Sequence, residues 1–214
     1  AGESHGPSLT AVIEGFPANL KVDSAYINQQ LSRRQGGYGR GGHMKIEKDK
    51  VEFRGGLRFS RTTGAPLALL IHNKDFANWE KKMAPEGTAP LDLDIFTKPR
   101  PGHADLAGGL KYKQKDLRNI LERASARETA LRVAVGSVAR LFLLEFGIRI
   151  YSHVVAVGKV SADNSARSPR EIEETVDRSP LRCAEAEAEK EMIKAIDDAK
   201  REGDSGTGWH DWRD

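Results

Sequence analysis

A single cysteine, Cys183, occurs in 214 residues. It permits no internal disulfide, excludes a cysteine-ligated metal cluster and points to a reducing compartment. Long apolar runs are missing too. A membrane helix needs roughly 20 such residues, and the best candidate, Leu141 to Phe146, is interrupted by Glu145. A membrane span is therefore not expected. The opening AGESHGPSL has neither the basic nor the apolar region of a signal peptide and no initiating methionine, which implies that a few residues have been lost. Equally absent are the G-x-x-x-x-G-K-[ST] phosphate loop, the G-x-S-x-G elbow and the H-E-x-x-H zinc signature. Cys183 sits in an acidic helical context that disfavours a thiolate, so it is not expected to act as a nucleophile. No metal site is expected.

What is present is charge, unevenly placed. The net charge is only +3, yet residues 31–61 carry nine Lys/Arg against three Asp/Glu, and residues 98–132 carry nine against four. The remainder is acidic. Two basic segments in an otherwise acidic chain imply a local anion site rather than a uniformly adhesive surface. Bulk nucleic-acid coating is thereby disfavoured. The length suffices for one sizeable domain or two small ones with a real core.

Periodicity outlines the elements. Ser8 to Phe16 is β-leaning and bounded by prolines. Asp23 to Gln35 offers an Asp cap, apolar Ala25, Ile27 and Leu31, and a glycine stop, the pattern of a helix that delivers Arg33 and Arg34 to its end. Alternation from Met44 to Asn73 predicts a β-meander, and the proline-rich stretch from Asp75 to Pro101 reads as a long functional loop with one amphipathic patch at Trp79. Lys115 to Arg123 and Arg127 to Phe146 read as helices, the second ended by Gly147. IRIYSHVVAVGKV predicts a strand, followed by a Ser/Arg/Pro loop and an acidic helix. This order predicts an α+β layered domain.

Four stretches carry candidate chemistry. Gly2-Glu3-Ser4-His5-Gly6 sets a titratable ring between glycines beside a carboxylate and a hydroxyl; it reads equally as a surface turn that satisfies its own backbone. Arg100-Pro101-Gly102-His103-Ala104-Asp105 places a second histidine between charges of both signs, or forms an ordinary turn. Glu122 to Thr129 spans the junction of two helical patterns, where Ser125 can cap the second and Arg123 and Arg127 can bind an anion; solvent-facing ion pairs are the plainer alternative. Finally, SRRQGGYGRGGH (Ser32 to His43) contains a formal G-x-G-x-x-G, but it follows a helix and lacks a βαβ unit, so a dinucleotide fold fails on context. As an arginine-glycine RNA segment it is single and lies between ordered elements. His43, His72 and His153 fall in strand-like patterns and read as structural or surface residues.

Taken together, AGESHG, SRRQGGYGRGGHMKIEKDKVEFRGG, TKPRPGHADLAGGLKY and DLRNILERASARETALRVAVG resemble the chorismate synthase family over most of residues 1–160. The resemblance implies one domain over residues 1–214, an α+β layered β-α-β sandwich, with a weaker helical region at 161–205. It implies a lyase of the shikimate pathway, on the route to aromatic amino acids, that converts 5-enolpyruvylshikimate 3-phosphate into chorismate and phosphate by anti-1,4-elimination. Reduced FMN is required, although nothing is oxidised or reduced overall. Carried over residue by residue, Ser4, Arg34 and Arg40 contact the substrate. The positions of Arg34 and Arg40 are also associated with NADPH where a member reduces its own flavin, and Arg40 joins the cofactor set. His5 is the acid that protonates the departing phosphate, His103 is the partner of the flavin ring, and Arg123, Ala124 and Ser125 hold FMN. Arg100 and Arg127 join the substrate set. A homotetramer, a cytoplasmic setting and no nucleic-acid or membrane partner complete the expectation.

The ending departs from the family. After KREGDS the chain reads GTGWHDWRD, where the family passes through a glycine pair into another strand and further site residues. A C-terminally truncated copy, with residues 206–214 as an atypical tail, is therefore expected, with weak flavin binding and little turnover by itself. The competing expectations are a catalytically impaired remnant and a basic module that binds anions or nucleic acid.

Overall fold

The computed structural model describes residues 1–39, 49–163 and 167–202. The chain divides into two compact units, residues 1–34 with 45–148 and residues 35–44 with 149–214.

In the first unit, strand β1 (Ser8–Ile13) pairs antiparallel with β5 (Leu67–His72), which pairs on its other edge with β2 (Val51–Gly55). The register sets Leu9 opposite Ile71, Ala11 opposite Leu69 and Ile13 opposite Leu67. Because alternate residues share a face, Leu9, Leu67, Leu69 and Ile71 all turn inward and are buried. Two helices cover that face. Helix α1 (Ser24–Gln35) starts where Asp23 Oδ1 accepts the Ala25 N–H at 2.8 Å, and it buries Ile27 and Leu31. Helix α5 (Glu128–Leu144) brings Ala130, Leu131, Ala134 and Val138 to the same core. Its alanines let the backbone approach closely, and each fully buried Leu or Ile contributes about 1.5–3 kcal/mol.

Between these elements the chain departs from a simple meander. Strand β2 pairs directly with β5, while β3 (Leu57–Arg58) and β4 (Arg61–Thr62) form a separate ribbon around Phe59 and Ser60. Both turn residues have positive φ, the conformation a two-residue hairpin demands. The long loop holds one short helix, α2 (Phe76–Trp79), and ends at α3 (Asp105–Tyr112), a helix whose Gly108-Gly109 pair hides it from propensity. Those glycines have a packing reason. A Cβ on Gly108 would lie 2.5 Å from Ile120, and one on Gly109 2.5 Å from Leu117, at and just before α4 (Arg118–Leu121).

In the second unit, the strand expected over residues 148–160 is confined to a hairpin of β6 (Ala156–Val157) and β7 (Val160–Ser161). Ile148 and Ile150 remain exposed, which removes the burial that would have held an extended segment. Helix α6 (Pro169–Val176) opens on a capping box between Ser168 and Glu171, with proline at its first position. Helix α7 (Ala186–Arg201) buries Ala188 and Met192. Cys183 lies ahead of α7, not within it, and packs with those two residues. The Tyr38 hydroxyl donates to Asp197 at 2.9 Å.

Gly56 follows a bulge in β2 with φ +81°, and a Cβ there would meet the Pro66 carbonyl at 2.5 Å. Gly56→Ala is expected to destabilise the protein by about 1–3 kcal/mol, read as a lower urea midpoint with an unchanged slope.

Candidate active site

The site starts at the N-terminal loop and at the end of β5. Gly2 has φ +108°, and a Cβ there would sit 2.4 Å from the Ser8 carbonyl, so the loop folds back tightly on β1. Buried Asn73, one residue past β5, holds it. Its Nδ2 donates to the carbonyls of Glu3 and Ser4, each at 3.2 Å, and of Gly6 at 2.6 Å, while its amide donates to Pro7 at 3.0 Å. Asn73 Oδ1 accepts from Arg127 Nε at 2.7 Å. Arg127, itself buried, also donates to Asp49 at 2.5 Å and to the His72 carbonyl at 3.2 Å. Arg34 extends the network: it lies 3.6 Å from Asp49 and donates to Thr129 Oγ1 at 2.8 Å and the Ala126 carbonyl at 2.6 Å. Buried charges persist only when paired in this way.

Within the loop so held, three donors converge on one carboxylate. Glu122, immediately after α4, has no exposed side-chain surface. Its Oε2 accepts from the Ser4 hydroxyl at 2.7 Å and the His5 amide at 2.8 Å, and His5 Nδ1 lies 2.9 Å from Oε1 and 3.0 Å from Oε2. Arg118 stands 3.5 Å from Oε1. Burial pushes the Glu122 carboxyl up, but the hydrogen bonds from Ser4 and from the His5 amide and ring outweigh it and hold the group below its ordinary range. The His5 ring packs on Trp79, with centroids 4.0 Å apart, and Trp79 Nε1 is anchored on Asp75 at 2.8 Å. Arg118 also lies over the Trp79 ring, 5.2 Å from its centroid.

A second group surrounds α3. Asp105 is wholly buried and receives Arg100 through Nε at 2.8 Å, Nη2 at 2.9 Å and its backbone N–H at 2.9 Å. That bidentate pairing holds the Asp105 carboxyl at about 2, against an opposing push from burial. Nearby, His103 is exposed, and its Nδ1 donates to the Pro101 carbonyl at 3.0 Å. The two groups meet through packing of Gly108 and Gly109 against Ile120 and Leu117.

The remaining expected residues lie at the start of α5. Arg123 and Ala124 are exposed; Arg123 donates to the Gly2 carbonyl and lies 3.5 Å from Glu128. Ser125 accepts the Arg127 N–H at 3.2 Å, so it closes the turn before the helix, whose N-cap is Arg127. Arg40, like His43, lies outside the described residues. Ser4, His5, Arg34, Arg123, Ser125 and Arg127 are thus gathered around the N-terminal loop and the start of α5, while Arg100 and His103 form the group at α3.

The family model described as chorismate synthase matches residues 1–211. The chain belongs to the chorismate synthase family. It is 55% identical over 205 residues to a chorismate synthase of Carboxydothermus hydrogenoformans, covering 96% of this chain and 53% of that one. A chorismate synthase of Aquifex aeolicus is 52% identical over 213 residues, covering 96% and 54%. A crystal structure of chorismate synthase superposes with a TM-score of 0.73 at 42% identity, covering 95% of this chain and 52% of the other. The α+β expectation therefore holds, and the chain spans about half the length of the curated chorismate synthases it matches.

Sequence reasoning did not single out Glu122, Asn73, Asp49, Arg118 or Trp79 as site residues. The carboxylate beside His5 is not neighbouring Glu3 but Glu122, 117 positions away. Its one sequence signal was a place in the helix junction that also carries Arg123 and Ser125.

Asp105→Asn tests the second group. The folded-state value of the carboxyl is depressed, so its contribution is present above an unfolded value near 3.8 and is lost as pH falls toward about 2. At neutral pH the variant is expected to lose about 1–2 kcal/mol, allowing for solvent screening of the half-exposed Arg100. The difference from wild type should shrink between pH 4 and 2 in urea titrations. Asn73→Ala frees three loop carbonyls and strands Arg127 Nε, and is expected to cost about 2–4 kcal/mol. Amide exchange of residues 2–8 should accelerate more than that of the β1–β5 pairing.

Proposed function

We propose that this chain forms the substrate-binding half of a lyase that releases phosphate from 5-enolpyruvylshikimate 3-phosphate to give chorismate. The observation that carries the reading is the held His5, whose ring is oriented by a buried carboxylate and partly open to solvent. A phosphate leaves more readily when a positioned acid delivers a proton to its departing oxygen and cations offset the charge that develops there. His5 is that acid. Arg123 brings a guanidinium group to the Gly2 carbonyl of that loop, Arg118 stands beside the Glu122 that holds it, and Arg34 reaches the Ala126 carbonyl at the start of α5, cations of the kind a small ligand with two carboxylates and a phosphate requires. Arg40 and Arg100 belong to the same set by family resemblance, and Arg127 supports it from beneath by holding Asn73 and Asp49.

The donors at the start of α5 suit a flavin phosphate. The exposed Arg123 guanidinium and the Ser125 hydroxyl stand where helix amides favour an anion, with Ala124 between them. Reduced FMN, when bound, supplies the electron-rich partner for breaking a C–H bond too weakly acidic for a side-chain base. His103, exposed and with Nδ1 already committed to Pro101, is the residue we assign to the flavin ring. Flavin reduction with NADPH, homotetrameric assembly and a cytoplasmic setting follow from the family resemblance. No described helix is long and apolar enough to cross a membrane.

Joining residues 1–202 to the second half of a full-length relative gives a chain in which turnover can be measured anaerobically with reduced FMN. His5→Asn is expected to lower phosphate release by about 10²–10⁴-fold with little change in flavin affinity. An unchanged rate would remove His5 from the chemistry.

A further inference from the structure

We propose that Glu122 is the positioning residue for His5: its buried carboxylate fixes the ring as the Nδ1–H form and leaves Nε2 as the nitrogen that meets the ligand. The proposal rests on the reading of His5 as a group that faces an anionic substrate, and it adds which nitrogen does so and why.

An ionised carboxylate only accepts hydrogen bonds, so a ring nitrogen 2.9 Å from Oε1 and 3.0 Å from Oε2 must carry a hydrogen. The Ser4 hydroxyl, 3.0 Å from the same nitrogen, gives its own hydrogen to Glu122 at 2.7 Å and therefore does not compete for the donor role. The His5 amide reaches Oε2 as well, at 2.8 Å. One carboxylate thus ties down the ring, its own backbone and the preceding side chain, and Trp79 packs against the ring to limit rotation. Arg118 stands 3.5 Å from Oε1, an additional positive charge beside the carboxylate. With Nδ1 occupied, the proton given to a departing phosphate oxygen comes from Nε2 of the cationic ring. What remains is the neutral Nδ1–H ring, already paired with Glu122.

Long-range proton–nitrogen correlation spectra of the nitrogen-15-labelled chain, at a pH where the ring is neutral, read the tautomer directly. His5 is assigned by its loss in His5→Gln. Wild type is expected to show the Nδ1–H pattern, and Glu122→Gln is expected to convert at least half of the population to Nε2–H, because the amide can donate to Nδ1. An Nε2–H pattern in wild type, or an unchanged Nδ1–H pattern in a folded Glu122→Gln, would overturn the proposal. If Glu122→Gln does not fold, the wild-type spectrum alone decides. Turnover is not the readout, so a His5 variant that keeps full phosphate release would refute the catalytic reading and leave this result standing.

Discussion

A carboxylate shut away from water must be fully partnered or it will not stay ionised, and Glu122 is the point where this chain meets that requirement. Its partners come from distant parts of the sequence: Ser4 and His5 from the first loop, Arg118 from the preceding helix. Removing the Ser4 hydroxyl or the His5 ring leaves a buried charge short of a hydrogen bond, a loss of about 1–3 kcal/mol. The N-terminal loop and the α4 segment are thereby made to fold as one object, and the histidine between them inherits a fixed direction.

A second buried carboxylate, Asp49, anchors the other support of the loop. Asp49 takes Arg127 and lies beside Arg34, and Arg127 passes the constraint through Asn73 to the carbonyls of the His5 loop. Guanidinium groups suit this role because their planar fork serves several acceptors at once. Some arginines of the basic segments therefore act as internal struts, while the half-exposed Arg123 bridges the Gly2 carbonyl and Glu128 at the surface. A count of positive charge cannot separate these two uses.

The local signals in the sequence were faithful where the structure is local. Asp23 caps α1, the apolar stripe from Leu131 to Val138 faces the core, and Ser8 to Ile13 is a strand. The meander expectation failed because periodicity says which face a strand buries and not which strand it pairs with; β5 takes β1 and β2 as neighbours across long stretches of chain. Helix α3 was hidden by its glycines, whose purpose appears only once Ile120 and Leu117 are in place. Helix α6, by contrast, opens on a Ser-Pro-Arg-Glu signal inside the stretch whose Ser/Arg/Pro composition reads as a loop. The family motif points to Ser4, His5 and the residues around Ser125, whereas Glu122 and Asn73 hold the loop through distant partners that no local window contains.

The position of Asn73 directly beyond β5 carries a consequence for assembly of the molecule. Side chains on a strand alternate between faces, so a slip of one residue against β1 would swing Asn73 away from the loop it clasps. The buried Arg127 would then lose the Asn73 oxygen that accepts from its Nε. A mispaired sheet is in this way penalised by the same atoms that hold the histidine loop, and correct threading of the strands and closure of that loop become a single event.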